Sequence, residues 1–366
     1  MSFYDLMPKY PNRYLQDYLY RFTDHDILRV LSKDRLSPED FLALISPMAS
    51  NHLEKMAVKA HDLTARHFGN AIVLYAPMYI ANYCVNKCLY CSFNHENQIE
   101  RKSLSIEEFQ EEAKIISAGG IRHILLLTGE SRKESSPGYI KEIVTEAKRY
   151  FTSISLEIYP LSQDEYETLI ASGADGITIY QEVYDKNTYQ LMHPFGPKRN
   201  YRFRLETPER ACMAGFRSLG IGTLLGLGEW RSEAFYTALH AQYLTHKYPE
   251  VELSLSLPRI RPHASNFNIP HPVGNREFVQ ILLAYRLYLP HAGITISTRE
   301  RADFRDNLLG LGVTRMSAGS VTEVGGYSKK SGQGQFEVSD ERSIFEIGQM
   351  LLRKGYQPVF KDWQYF

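Results

Sequence analysis

The sequence predicts an α/β protein built as a (β/α)8 barrel of the TIM type, preceded by a helical extension. Three observations carry this. From residue 71 onward, short apolar runs alternate with amphipathic segments in eight consecutive pairs, a pattern that favours a parallel barrel over an open sheet. Several amphipathic segments open with explicit helix-start signals. The first 70 residues lack this alternation and read as helices alone. An open six-stranded partial barrel with a separate C-terminal piece is the competing architecture.

Within the extension, residues 1–70, Ser37-Pro38-Glu39-Asp40 is a helix start: a hydroxyl cap, a proline in the first turn, then acids at the positive dipole end. A longer helix follows, with Leu53, Met56, Ala57, Ala60 and Leu63 on one face and Gly69 as its stop. The barrel core is expected over 71–320, with strands near 72–75, 122–127, 154–159, 176–180, 220–226, 251–257, 293–297 and 313–318. Helices are expected over 106–118, 138–150, 163–172, 207–217, 232–246, 274–288, 302–309 and 341–354. Ser105-x-x-Glu108 and Ser162-x-x-Glu165 are capping boxes, and Thr207-Pro208-Glu209 repeats the cap-proline-acid start. Residues 321–366 complete or cover the barrel, and the Gly/Ser-rich stretch Gly325–Gly334 is expected to be a mobile loop.

Length and composition narrow the function. At 366 residues the crude expectation is about two domains, although α/β barrels run larger as one unit. Hydrophobic residues make up 43% and charged residues 23%, so the chain is globular rather than disordered. Lys+Arg and Asp+Glu both total 42, without the basic excess that a nucleic-acid or anionic-membrane binder needs. The start has no apolar signal core, and the longest apolar stretch, Ala71 to Ile80, is far shorter than the ~20 residues that span a bilayer. Four cysteines without a pairing framework suit a reducing cytosol. A cytoplasmic small-molecule enzyme is expected.

Three of those cysteines carry the chemistry. Cys84, Cys88 and Cys91 form Cys-x3-Cys-x2-Cys after the first strand, on the face of a barrel where active sites gather. Three thiolates can hold a metal but cannot saturate a four-iron cluster, and an open coordination position marks a catalytic centre. The bland alternative is structural zinc completed by His95, but no second Cys-x2-Cys-like half exists. Thr128-Gly129-Glu130 ends the second strand and in isolation reads as an ordinary turn. Glu157 and Tyr159, Tyr180-Gln181-Glu182, and Arg204 with Glu206 end or follow other apolar runs. Each alone reads as a solvated surface group; together they point to one barrel mouth. The glycines from Gly220 to Gly228 are expected along a strand, where plain packing explains them. Arg259, Arg261 and Arg299 fall at the ends of the sixth and seventh strands. A buried arginine there needs an anion, and Arg299 is the preferred clamp for a substrate carboxylate. Cys212 reads as a core residue.

The cysteine spacing, with Tyr90 as the aromatic before the last thiol, resembles the radical S-adenosylmethionine (SAM) superfamily. The resemblance implies one [4Fe–4S] cluster per chain on Cys84, Cys88 and Cys91, with SAM chelating the fourth iron. It further implies reduction by an external flavodoxin- or ferredoxin-like donor and cleavage of SAM to a 5′-deoxyadenosyl radical. Thr128, Gly129 and Glu130 would meet the SAM ammonium group, Thr128 departing from the usual glycine, and Glu157, Glu182 and Arg204 would make further SAM contacts.

More narrowly, the chain resembles the tyrosine lyase (2-iminoacetate synthase) family of thiamine biosynthesis. The resemblance rests on Leu44–Ser50, Arg66–Asn70, Tyr79–Cys84, Thr128-Gly129-Glu130, Tyr180-Gln181-Glu182, Arg204–Pro208, Pro258–Pro262, Ser297–Glu300, Gly325-Gly326-Tyr327 and Gln357–Trp363. It implies cleavage of the Cα–Cβ bond of L-tyrosine to 2-iminoacetate and p-cresol, initiated at the amino group. Arg299 would fix the carboxylate, Tyr79, Ser317 and Ser320 would border the substrate, and thiazole synthase would be a partner. A hydrogenase-maturation sister family carries a second cluster in a C-terminal extension. With no cysteine after Cys212, none is expected here. A tryptophan-lyase sister shares the barrel and the arginine clamp, while Lys361-Asp362-Trp363 favours the thiamine branch. The rival readings are a lyase of tryptophan or another aromatic amino acid, and a non-catalytic iron–sulfur electron carrier. An electron carrier would keep all four irons ligated.

Overall fold

Eight parallel strands close into a barrel in the computed structural model, which describes residues 2–261, 267–329 and 333–360. They are β1 (Ala71–Ala81), β2 (His123–Thr128), β3 (Ser153–Glu157), β4 (Gly176–Glu182), β5 (Ser218–Thr223), β6 (Glu252–Ser256), β7 (Gly293–Ile296) and β8 (Arg315–Ser317). Each pairs with the next, and β1 closes the ring between β2 and β8. A ninth strand, β9 (Gln357–Val359), pairs with Ala71–Val73, beside the part of β1 that precedes its contact with β2. Runs such as Ile124–Leu127 form strands because a parallel strand covered by helices is apolar on both faces.

All eight expected strands and all eight expected helices are present. Ser105 and Ser162 cap helices Ile106–Ala118 and Gln163–Ser172 in full capping boxes. In the extension, Ser37 caps Pro38–Leu44 in the same way, and helix Leu53–Phe68 stops at Gly69. Gln280 on helix Asn275–Tyr288 ties the extension to the barrel by donating to the carbonyls of Leu44 (3.0 Å) and Ser46 (2.8 Å).

Four details differ from the sequence reading. β1 runs to Ala81 rather than ending near 75, so Tyr79 lies on the strand itself. Two short helices, Lys186–Met192 and Tyr201–Leu205, stand between β4 and helix Thr207–Ala214. Arg204 is therefore on a helix and not at a strand end. Gly226 and Gly228 lie beyond β5, in a loop where Gly226 takes φ +118°. β9 was not expected.

After β8 the chain crosses the barrel mouth, with Val324 bridging to Tyr79, before helix Ile344–Arg353. A fully buried ion pair, Arg305–Asp340, anchors this crossing, and Arg342 adds bonds to Asp340 (2.7 Å) and Asp306 (2.8 Å). Pro262, Lys330–Gly332 and Lys361-Asp362-Trp363 lie outside the described residues. No helix among the described residues is long and apolar enough to cross a membrane.

Candidate active site

The cysteine loop leaves the C-terminal end of β1 through a shift in register between Tyr79 and Ala81. Arg101 staples the loop from behind, donating to the carbonyls of Asn82 (2.8 Å), Phe93 (2.9 Å), Asn94 (2.6 Å) and Asn97 (3.2 Å). Four carbonyls gathered on one guanidinium fix a segment that has no regular structure of its own. All three thiols are free and face one cavity with Thr128, Gly129, Glu130, Glu157, Glu182, Lys198 and Arg204. The strand ends of β2, β3 and β4 thus converge on the cysteines.

Gly129 allows this approach. A Cβ there would stand 2.3 Å from the Tyr83 carbonyl oxygen, and the Gly129 N–H donates to Ala81 (2.9 Å). Asn86 links three parts of the site: it donates to Glu130 (2.5 Å) and to the sulfur of Cys84 (3.8 Å), and accepts from the Lys198 N–H (2.9 Å). Gly196, at φ +94°, leaves room for Asn86.

Charge is concentrated at the end of β4. Glu182 adopts φ +71°, in the left-handed region, at a shift in register with β5. Burial would raise its carboxyl, but Lys198 (2.7 Å) and Arg204 (3.2 Å) outweigh burial and hold it below the usual range. The Glu157 carboxylate makes no hydrogen bond or ion pair among the described residues; burial, against the pull of Arg299, pushes it up to about 7. The Thr128 hydroxyl is buried without a partner among the described residues. Tyr90 donates to His193 Nε2 (2.7 Å), because the other ring nitrogen is engaged with the Tyr189 carbonyl (2.7 Å). Tyr159 faces the same cavity while its hydroxyl donates to Ser135 O (2.7 Å).

A second cavity continues from the first, sharing Cys91, Glu157, Tyr180, Glu182, Lys198 and Gln335 and adding Arg261, Arg299 and Phe336. Arg299 is half-buried and its guanidinium lies 3.5 Å over the Phe336 ring. It has no carboxylate partner among the described residues, whereas Arg259 is committed to Glu300. Tyr79 is buried against Phe93, its hydroxyl reaching Gln335 (2.8 Å). Ser317 sits in the barrel wall and borders neither cavity; its hydroxyl accepts from the Thr298 N–H (3.0 Å). Ser320 also borders neither, and its hydroxyl is buried without a partner among the described residues. Cys212 is buried in helix Thr207–Ala214, in the core as expected.

Three thiols in one cavity whose lining holds no histidine are a donor set that suits an iron–sulfur cluster. No three His, Cys, Asp or Glu side chains among the described residues converge on one point, and His95 is exposed. Burial raises the Cys88 and Cys91 thiols, so a strong local cation is needed to hold them as thiolates. Sequence reasoning passed over Asn86, Lys198, His193, Arg101 and Gln335.

Comparison with known proteins places this closed barrel, with its three free thiols and charged strand ends at the mouth, among the radical SAM enzymes. Residues 78–237 match the family described as the Radical SAM superfamily, and 256–357 match the Biotin and Thiamin Synthesis associated domain. The 2-iminoacetate synthase of Escherichia coli is 36% identical over 343 residues, covering 93% of this chain and 91% of its own length. The chain belongs to the 2-iminoacetate synthase family of radical SAM enzymes. Among solved structures, HydG, a maturase of the [FeFe]-hydrogenase, superposes with a TM-score of 0.91 at 31% identity, over 95% of this chain and 80% of that one. Methylornithine synthase (PylB) shares the fold, with a TM-score of 0.74 at 20% identity over 91% of this chain and 97% of its own.

Proposed function

We propose that the chain is a radical SAM lyase that breaks the Cα–Cβ bond of L-tyrosine, yielding 2-iminoacetate and p-cresol for the thiazole of thiamine. One observation carries the reading of the site: a half-buried guanidinium, Arg299, without a carboxylate partner among the described residues, in a cavity continuous with three free thiols. Cys84, Cys88 and Cys91 would hold one [4Fe–4S] cluster per chain. With SAM bound, that cluster supplies a 5′-deoxyadenosyl radical that takes a hydrogen from the substrate amino group.

The chain's own part is binding and orientation. Arg299 receives the tyrosine carboxylate on its planar fork and so sets where the amino nitrogen lies. Phe336 covers one face of that guanidinium and keeps water from it. Thr128 offers an unpartnered hydroxyl, Gly129 a close backbone approach, and Glu130 a carboxylate to the SAM ammonium group. Tyr90 caps the loop from the His193 side, while Glu157, Glu182 and Arg204 meet the remaining polar groups of SAM. Ser317 acts through Thr298, beside Arg299, and Tyr79 reaches the substrate side through Gln335, whereas Ser320 stands back from both cavities. Loss of the amino hydrogen lets the Cα–Cβ bond break, leaving the C=N bond of 2-iminoacetate. The 4-hydroxybenzyl fragment takes one electron and one proton to become p-cresol. A flavodoxin- or ferredoxin-like donor supplies electrons, and thiazole synthase receives the imine in the cytoplasm. In this reading 1–70 is the helical extension, 71–320 the catalytic barrel and 321–366 its cover.

The test is anaerobic reconstitution with iron and sulfide, followed by SAM, a reductant and either tyrosine or tryptophan. 5′-Deoxyadenosine formed together with p-cresol is expected. Turnover of tryptophan alone would overturn the substrate, and SAM cleavage surviving in Cys88→Ala would overturn the cluster assignment.

A further inference from the structure

The dipeptide Gln335–Phe336 touches three groups given separate roles above. Phe336 underlies Arg299. The Gln335 amide reaches both Tyr79 Oη (2.8 Å) and Cys91 Sγ (3.8 Å). The chemistry of the partners fixes how that amide is turned. A thiolate sulfur only accepts, so the NH2 group faces Cys91 and the amide oxygen faces Tyr79. Burial raises the Tyr79 phenol well above its usual value, which keeps it protonated and able to donate to that oxygen.

The placement is built rather than incidental. The Gln335 N–H donates to Thr322 O (3.1 Å), and the Thr322 hydroxyl donates to Phe336 O (2.9 Å). The residue before them has to be glycine, because a Cβ on Gly334 would stand 2.1 Å from the Thr322 hydroxyl oxygen. Val324 bridges to Tyr79 on β1, and Tyr327 donates to Pro77 O (2.7 Å). Buried Glu112 accepts from the N–H groups of Tyr327 (2.9 Å) and Ser328 (2.7 Å). The crossing segment is therefore pinned to β1 and helix Ile106–Ala118 before Gln335, and beyond it the Ser339 N–H donates to Thr298 O (2.9 Å).

We propose that Gln335 is a positioning residue that ties Tyr79 to the Cys91 sulfur and, by donating to that sulfur, makes the bound cluster easier to reduce. The inference rests on reading the three cysteines as cluster ligands. A hydrogen bond to a cluster sulfur stabilises the more negative, reduced state over the oxidised one, and so raises the potential. Its amide oxygen meanwhile holds the phenol of Tyr79 at one orientation in a dry place, where losing the partner would free the ring to turn.

The experiment is a potentiometric titration of the reconstituted protein, without SAM or tyrosine, with the reduced cluster followed by electron paramagnetic resonance. Gln335→Met keeps the side-chain length and Gln335→Leu much of the bulk; neither has a donor. Both are expected to load iron and sulfide as the wild type does, with a midpoint shifted negative. A tenfold loss in the reduction equilibrium would read as about 59 mV. Tyr79→Phe keeps the donor to Cys91 and should stay near the wild-type midpoint. An unshifted midpoint in a fully loaded Gln335→Met protein overturns the proposal. Failure of the wild type to form any cluster would instead overturn the assignment of the cysteines.

Discussion

Arg259 and Arg299 leave adjacent strand ends and meet opposite fates. Arg259 is saturated by Glu300, the Val273 carbonyl and Asn275, so it builds the rim. Arg299 has no carboxylate beside its fork among the described residues, only a contact to Arg259 O at 3.4 Å. Arg299→Lys should therefore raise KM for tyrosine about tenfold or more while iron content is unchanged, since lysine keeps the charge and loses the bidentate geometry. Steady-state kinetics alongside iron analysis checks this, and an unchanged KM would remove Arg299 from the carboxylate site. Sequence alone could single out Arg299, because an arginine at a barrel strand end is a legible signal. It could not single out Lys198, Asn86 or His193. They sit in segments without periodicity, and their partners, Glu182, Glu130 and Tyr90, are distant in sequence.

At the level of elements, the strands were legible from apolar runs and the helices from their caps. Irregular pieces were not. Residues 186–205 carry Pro194, Gly196 and Pro197, which break any helical period, so two short helices there were missed and Arg204 was misplaced. The left-handed turn at Glu182 has no sequence signature, because glycine is the usual occupant of such a φ. The β2 turn illustrates how tightly two elements meet. Gly129→Ala would push a methyl group into the Tyr83 carbonyl, and backbone on both sides has little room to yield. Expected outcomes are reduced cluster loading and a loss of about 1–3 kcal/mol in stability. Iron analysis and denaturant unfolding test it; wild-type values for both would show that the loop has slack.

For the whole molecule, eight serial strand–helix pairs were enough to foresee the barrel. What they could not foresee is how the last part of the chain returns to it. β9 is only Gln-Pro-Val, too short to stand out as a strand, and its pairing with β1 is set by the folded arrangement. The crossing segment is likewise held by long-range contacts, above all Arg305 with Asp340, both fully buried. Asp340→Ala would strand the wholly buried Arg305 without a carboxylate and leave Arg342 with Asp306 alone. A loss of about 3–5 kcal/mol is expected. Urea unfolding measures it, and a change below about 1 kcal/mol would mean that the segment is anchored elsewhere.

The position of β1 in this ring has a consequence for synthesis. Among the described strands β1 is made before the others, yet its first half finds its neighbours only in β8 and β9, which are made after all the rest. Until then a nascent polypeptide exposes an unpaired, apolar strand edge, the kind of surface on which ribosome-bound chains aggregate. Stalled or shortened products that lack residues 315–359 would keep that edge open, and would be natural clients of chaperones or proteases.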